Sequence, residues 1–270
     1  MQQATGFPGV RRRVREAAQT QARIIGAVIM RDMRTRFGRS YLSFGLALAW
    51  PLVHIMVIFT AFVAMSRVVP MGASAGRFIA TGAMPYILVL YPARMMTLAV
   101  LQNHQTLMFP IVKTTDLIIA RAIVEFFSAF IVVICFAMIM TALDVDIVPL
   151  DWIQAAAAIL AAIYLGIGLG VMNVIMMTLA RLWIVVFIGA MALLYVSAGV
   201  STMQLGFSAT TREILSYNPI AHAVVWLRTA YYGDFSEIEL SRGYLLGIAT
   251  VALFLGVIGD RLLRGRVLLT

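Results

Sequence analysis

Apolar residues along this chain gather into six long runs separated by short polar connections. The runs cover roughly residues 42–65, 78–101, 117–143, 152–179, 183–203 and 243–259. A helix rising ~1.5 Å per residue needs about 20 apolar residues to cross a ~30 Å hydrocarbon core. The pattern therefore predicts six transmembrane helices and an all-α fold. Residues 14–38 follow a different rule. Val14, Ala18, Ala22, Ile25, Ile29, Met33 and Phe37 recur at helical spacing, while Arg15, Arg23, Arg31, Arg34 and Arg36 fall mostly off that stripe. This is the pattern of a helix lying in a membrane interface, apolar face down and basic face toward the headgroups. The chain divides accordingly into a cytoplasmic tail with an amphipathic interface helix, 1–41, and a transmembrane domain, 42–270.

Two connections carry more pattern than a turn requires. The segment at about 102–115 is polar at both ends, with Leu107, Met108, Phe109 and Pro110 between. Contiguous apolar surface on a short polar connection marks an interaction site. In the segment at about 208–233, Thr210 followed by Glu213 reads as a capping-box start for a short helix. Asn218-Pro219 reads as the cap and first residue of a second helix, with Gly233 as its stop. That second helix would be ~14 residues and ~21 Å long, too short to span. It is nevertheless apolar and aromatic, with Val224, Val225, Trp226, Tyr231 and Tyr232. The segment predicts a re-entrant helical hairpin on the outer face between crossings five and six; a hairpin lying flat on the surface is the alternative. Irregular backbone at membrane depth is tolerated only against protein or a water-filled cavity.

Composition excludes an ordinary soluble domain: 62% of the residues are hydrophobic and 12% charged. The formal charge of +9 is distributed as a membrane topology signal rather than as a nucleic-acid patch. Nine arginines precede Tyr41, and Arg261, Arg264 and Arg266 follow the last run. The connection at 144–151 carries only Asp144, Asp146 and Asp151. Basic residues stay cytoplasmic, so both termini are expected inside. Residues 1–42 are too polar to supply the core of a cleavable signal. The single Cys135 permits no disulfide and reads as a small buried residue.

Inside the runs, Pro51 predicts a kink and His54 a hydrogen-bonded packing residue one turn from Trp50. Arg94, Arg121 and Glu125 are expected to form one buried ionic cluster, since charges within a membrane need partners. Arg121 and Glu125 are also i,i+4 neighbours. Gly166 and Gly170 form a small-xxx-small pair for close helix approach. A phosphate-binding loop needs GxxxxGK[ST]; the one lysine, Lys113, follows Phe-Pro-Ile-Val, so that loop is missing. There is no HExxH, no GxSxG and no paired histidine–cysteine set, so neither a metal nor a cofactor is expected in this chain. Asp144-Val-Asp146 imitates a glycosyltransferase DxD, which keeps a membrane-embedded glycosyltransferase as an alternative. Its predicted outer placement favours a solvated acidic turn.

The ordered set is more informative than its parts. A basic amphipathic helix leads into "RDMRTRFGRSYL" and Trp50-Pro51. Asn103, Leu107 and Phe109-Pro110 follow the second run, and Tyr217-Asn218-Pro219, Trp226, Arg228 and "AYYG" precede the last. This set resembles the permease of type-2 ABC exporters in the polysaccharide-export branch, most like the capsular-polysaccharide permeases of Gram-negative bacteria (KpsM class). O-antigen and teichoic-acid permeases are near relatives. "YPARMM" at 91–96 departs from the smoother small-and-polar stretch expected there.

The resemblance implies a homodimer in the bacterial inner membrane, joined to two copies of a separate ATPase that binds the ATP and Mg. It also implies a periplasmic adaptor, an outer-membrane exporter and a lipid-linked polysaccharide cargo. His104, Leu107, Met108, Phe109 and Pro110 would form the ATPase coupling helix, and Tyr217, Asn218, Pro219, Trp226 and Arg228 the outer gate. Sugars stack on aromatic faces and bond to polar tips, which makes Trp50, Tyr86, Tyr91, Trp183 and Tyr195, with Arg94, candidates for the substrate channel. Arg34, Arg36 and Arg39 stand at the cytoplasmic mouth, where guanidinium groups meet glycolipid phosphate or membrane lipid. The missing phosphate-binding loop predicts that the purified chain alone hydrolyses no ATP; sustained phosphate release by the isolated protein would contradict this.

Overall fold

A computed structural model describes residues 8–37, 41–65, 74–109, 111–200, 208–233 and 239–267. Among these residues there are eleven helices and no strand. They are α1 (Pro8–Phe37), α2 (Tyr41–Met65), α3 (Ala75–Thr97), α4 (Ala99–Gln102), α5 (His104–Leu107), α6 (Thr114–Ala142), α7 (Trp152–Leu179), α8 (Trp183–Ser197), α9 (Ala209–Ser216), α10 (Pro219–Tyr232) and α11 (Arg242–Val267).

Four of them contain stretches long and apolar enough to cross a membrane: Leu48–Met65, Thr114–Ala142, Trp152–Leu179 and Arg242–Leu263. The other two predicted crossings differ for distinct reasons. α8 is apolar but has 15 residues, and positions 201–203 of its run lie outside the described residues. α3 has 23 residues, yet includes Arg77, Thr81, Pro85, Pro92 and Arg94. Protein covers it almost from end to end: the stretch from Phe78 to Ala93 is buried throughout. A helix solvated by its neighbours has no need of a uniformly apolar surface.

α3 is the axis of the bundle. α7 packs along both α3 and α11, and α10 wedges against α3 and α7. Glycines set how close these backbones come. A Cβ on Gly166 would lie 2.8 Å from the Leu88 carbonyl oxygen of α3, and one on Gly170 would lie 2.7 Å from Met96 Cβ. Between them, Gly168 faces the opposite way, 2.4 Å in the same terms from the Ala249 carbonyl oxygen of α11. The small-xxx-small pair thus serves the α3 seam, and the intervening glycine serves α11. Asp151 starts α7 by accepting from the Ile153 and Gln154 amides, at 2.9 and 3.0 Å.

α1 lies against α6 and touches α2. Val28 is buried, and Ile24, Ile25 and Ile29 pack beside it on Leu117 and Ile118. Residues 12–20 are exposed all round, Val14 and Ala18 included. The packed face is therefore shorter than the predicted stripe and centred on Val28. Gly168→Ala is expected to lower stability by roughly 1–3 kcal/mol through overpacking, read as a lower thermal-unfolding midpoint in detergent. An unchanged midpoint would show that α7 and α11 part without penalty.

Candidate functional site

At one end of the bundle the chain turns from α3 into α6 through a chain of tight turns. Thr106 N donates to Asn103 O at 2.8 Å, Phe109 N to Thr106 O at 3.3 Å and Val112 N to Phe109 O at 3.0 Å. These turns point successive side chains in different directions. Leu107 is buried with Val28, Val100, Leu117 and Ile118. Met108, Phe109 and Ile111 stand out, 75%, 55% and 69% exposed. His104 is half-buried, and Pro110 lies outside the described residues. Of the expected coupling residues, Leu107 belongs to the core, while Ile111 joins the exposed knuckle without having been singled out in the sequence. Its signal was an apolar residue placed after Pro110.

Behind the knuckle sits an ionic network. Arg121, 1% exposed, places Nη1 3.1 Å from Asp32 Oδ2 and 3.8 Å from Glu125 Oε1. Asn103 Nδ2 donates to Asp32 Oδ1 at 2.8 Å, and Arg121 Nη2 donates to Gln102 Oε1 at 2.7 Å. Farther along α1, Gln21 donates to Asp116, which also accepts the Lys113 amide at 2.9 Å. Arg121 and Glu125 pair as expected, and Asp32 of α1 joins them. Asp32 escaped notice because it lies among arginines in a segment read as an interface helix. Arg94 is half-buried, and its Nε has no hydrogen-bond partner among the described residues. Arg34 is exposed on α1; Arg39 and the Arg36 side chain lie outside the described residues.

In the middle of the bundle the candidate channel residues spread over α2, α3 and α8. Tyr86 and Tyr91 are buried. Tyr86 OH donates to the Met191 carbonyl at 3.3 Å, and its ring meets that of Tyr195 edge-on at 4.8 Å. His54 Nδ1 lies 3.1 Å from Tyr91 OH, the packing role its position suggested. Trp183 Nε1 donates to Asn173 Oδ1 at 2.9 Å, tying α8 to α7. Trp50, by contrast, is 63% exposed on α2. A narrow cleft opens between α2, α3 and α6, lined by Leu48, Tyr91 and Glu125 among others.

At the far end, Ser208 rather than Thr210 caps α9, its Oγ accepting the Thr211 amide at 3.2 Å. α10 starts and stops where its residues predict. Asn218 Oδ1 accepts the Ile220 amide at 2.8 Å, and Gly233 closes the helix at φ 77°. Asn218 Nδ2 also donates to Leu194 O and Ser197 Oγ, both at 2.8 Å, fastening α10 to α8. Arg228 has no exposed surface; its guanidinium lies 3.8 Å from the centre of the Phe78 ring and donates to Val200 O at 2.9 Å. Gly82 makes that room, since a Cβ there would come within 2.1 Å of Val200 O. Trp226 Nε1 donates to Gln154 Oε1 at 2.8 Å, and the Arg242 guanidinium sits 5.1 Å from the Trp226 ring centre. Pro219 is half-buried and Tyr217 exposed; the Tyr217 carbonyl accepts from Tyr244 OH at 2.7 Å.

His222 completes this assembly. Its Nε2 donates to Ser216 O at 2.8 Å, and its Nδ1 accepts the Ser241 amide at 3.3 Å, so the ring is neutral. α10 is too short to cross a membrane. Burial lowers the His222 pKa below its ordinary 6.5, against the opposing pull of the Ser216 carbonyl. The acidic connection is likewise engaged. Asp146 pairs with Arg77, which also donates from Nε to Asp146 O at 2.6 Å. No group of three or more potential metal-ligating side chains occurs among the described residues.

These packed aromatics, the apolar knuckle and the helical architecture occur in a chain with well-described relatives. The polysialic acid transport protein KpsM of Escherichia coli is 24% identical over 249 residues, 90% of this chain and 94% of that protein. The capsule polysaccharide export inner-membrane protein CtrC of Neisseria meningitidis is 27% identical over 252 residues, 90% of this chain and 91% of that one. BexB of Haemophilus influenzae, described in the same words, is 23% identical over 257 residues, 90% and 92% respectively. The chain is a homologue of capsule polysaccharide export inner-membrane proteins. No protein-family model matches it.

The helical order around α10 depends on two side chains. Asn218→Ala removes a cap and two inter-helix bonds, and should destabilise by about 1–2 kcal/mol, measured by thermal unfolding. Because the folded pKa of His222 is depressed, its contribution is complete above pH 6.5 and lost as pH falls below it. Acidification below that value should lower the unfolding midpoint of the wild type more than that of His222→Gln. Equal slopes would mean that the ring is not held neutral.

Proposed function

We propose that this chain is the membrane-embedded permease subunit of an ABC-type exporter of lipid-linked capsular polysaccharide in the bacterial inner membrane. The observation that carries this reading is the end-to-end similarity to three capsule polysaccharide export proteins. The missing phosphate-binding loop assigns the energy source to a separate ATPase, which holds ATP and Mg. The exposed Met108, Phe109 and Ile111 form the contact through which that ATPase acts, in a groove that removes them from water.

In this reading the six predicted crossings stand, α3 and α8 among them, with both termini cytoplasmic and α1 at the inner interface. Two copies face each other across the apolar surfaces of α2 and α8, where Trp50, Val53 and Val57 of α2 and Val185, Leu193 and Val196 of α8 are exposed. Two ATPase subunits bind beneath, and a periplasmic adaptor and outer-membrane exporter continue the route. α9 and α10 form the re-entrant outer element. Arg228 and Trp226 support it from within, while Tyr217 presents an exposed ring. Many weak stacking contacts suit a polymer that slides rather than stays. Arg34, at the inner mouth, meets the phosphate of the glycolipid terminus through charge-assisted bonds.

The enzyme alternative gains little: Asp146 is already held by Arg77, so the acidic turn would have to surrender an ion pair to hold a metal. Co-expression with the cognate ATPase tests the exporter reading. Met108→Glu and Phe109→Glu should each abolish co-purification of the ATPase while leaving the chain monodisperse in detergent. Leu107→Glu should instead reduce recovery of the folded chain itself. If the Met108 and Phe109 variants retain the ATPase at wild-type levels, the coupling assignment is wrong.

A further inference from the structure

We propose that Arg121 is the shared member of a two-position lock on α1, and hence a positioning residue for the coupling turn. Paired with Asp32 it holds α1 down; paired with Glu125 it remains neutralised while α1 lifts. The lock itself is argued from the geometry alone, whereas its use in transport rests on the exporter reading.

Arg121 is buried, and a buried guanidinium must keep a counter-charge throughout any motion. Two carboxylates face its Nη1, and they differ in one decisive respect. Asp32, at 3.1 Å, comes from α1, whereas Glu125, at 3.8 Å, is one turn along α6 itself. When α1 leaves, Glu125 stays, and a change of side-chain torsion is enough to complete that pair. Asp32 leaves with α1, on which Arg31 and the exposed Arg34 lie within one turn of it, so its charge keeps basic neighbours. The apolar hold on α1 is slight: Val28 is its one buried apolar side chain among those described. Release of α1 therefore breaks the Asp32–Arg121 pair together with the Asn103–Asp32 and Gln21–Asp116 bonds, and leaves Arg121 beside Glu125.

The coupling turn is fastened to the same point. Asn103 donates to Asp32, Arg121 donates to Gln102, and the Arg31 guanidinium lies 5.6 Å from the Phe109 ring centre. A pull on the knuckle at Phe109 is delivered through these bonds to both sides of the Asp32–Arg121 pair. The turn and the first helix are thus set to move together or to separate at that pair.

Spin labels at the exposed positions Arg23→Cys and Ile119→Cys, in a Cys135→Ala background, report the α1–α6 distance in the full-length chain in nanodiscs, with and without the ATPase. Asp32→Asn should shift the docked-to-released ratio toward release, and Glu125→Gln toward docking, each by about fivefold or more, the scale of one coupling interaction. The exchanged pair Asp32→Arg with Arg121→Asp should restore the docked distance. A shift of both single variants in the same direction, or no shift in either, overturns the lock. If the wild-type chain binds no ATPase while the distances respond as expected, the lock stands and the exporter reading falls. If the ATPase binds and the distances do not respond, the lock alone falls.

Discussion

A guanidinium with no access to water dictates what surrounds it. Arg121 occupies the second turn of α6, and its needs account for much of the structure around the turn from α3 into α6. Asp32 must reach it, so α1 is drawn onto α6 along a seam to which α1 brings Val28 as its one buried apolar side chain among those described. Gln102 and Asn103 must close the remaining bonds, so the turn after α3 folds back beneath it. That fold in turn throws Met108, Phe109 and Ile111 outward. The exposed knuckle is thus a by-product of satisfying a buried charge, and its position is only as firm as that satisfaction.

The two ends of the bundle solve a common problem in different ways. At the α1–α6 end a cation is answered by carboxylates. At the α10 end Arg228 is answered by an aromatic face and a carbonyl, with Gly82 supplying the space. The ring and the carbonyl that hold this charge come from α3 and from the segment just after α8, so Arg228 fastens α10 to both. A charge shared by two carboxylates has a choice. The fold is accordingly stiff where α10 meets α3 and adjustable where α1 meets α6.

What could be seen in the sequence was whatever local chemistry decides. Asn218, Pro219 and Gly233 delimit α10 because caps act on adjacent residues. The α7 glycines announced close approach because no other residue would allow it. What remained hidden depended on direction or on distant partners. Leu107 and Met108 are neighbours of similar polarity, and only the sequence of tight turns sends one inward and the other out. Asp32 could not be told from its arginine-rich setting until α6 was beside it. α3 reads as an ordinary apolar run until Arg77, Arg94 and its prolines are seen to be sheltered by protein.

The glycine seam of α7 has a mechanical consequence. Where Gly166 meets the backbone of α3 and Gly168 that of α11, no side chain stands between the helices to shear or compress. These three helices behave as a keel, and deformation passes to the parts moored by side chains alone: α1, α2 and α8. Whatever opens in this molecule opens along its flanks, around a spine that does not bend.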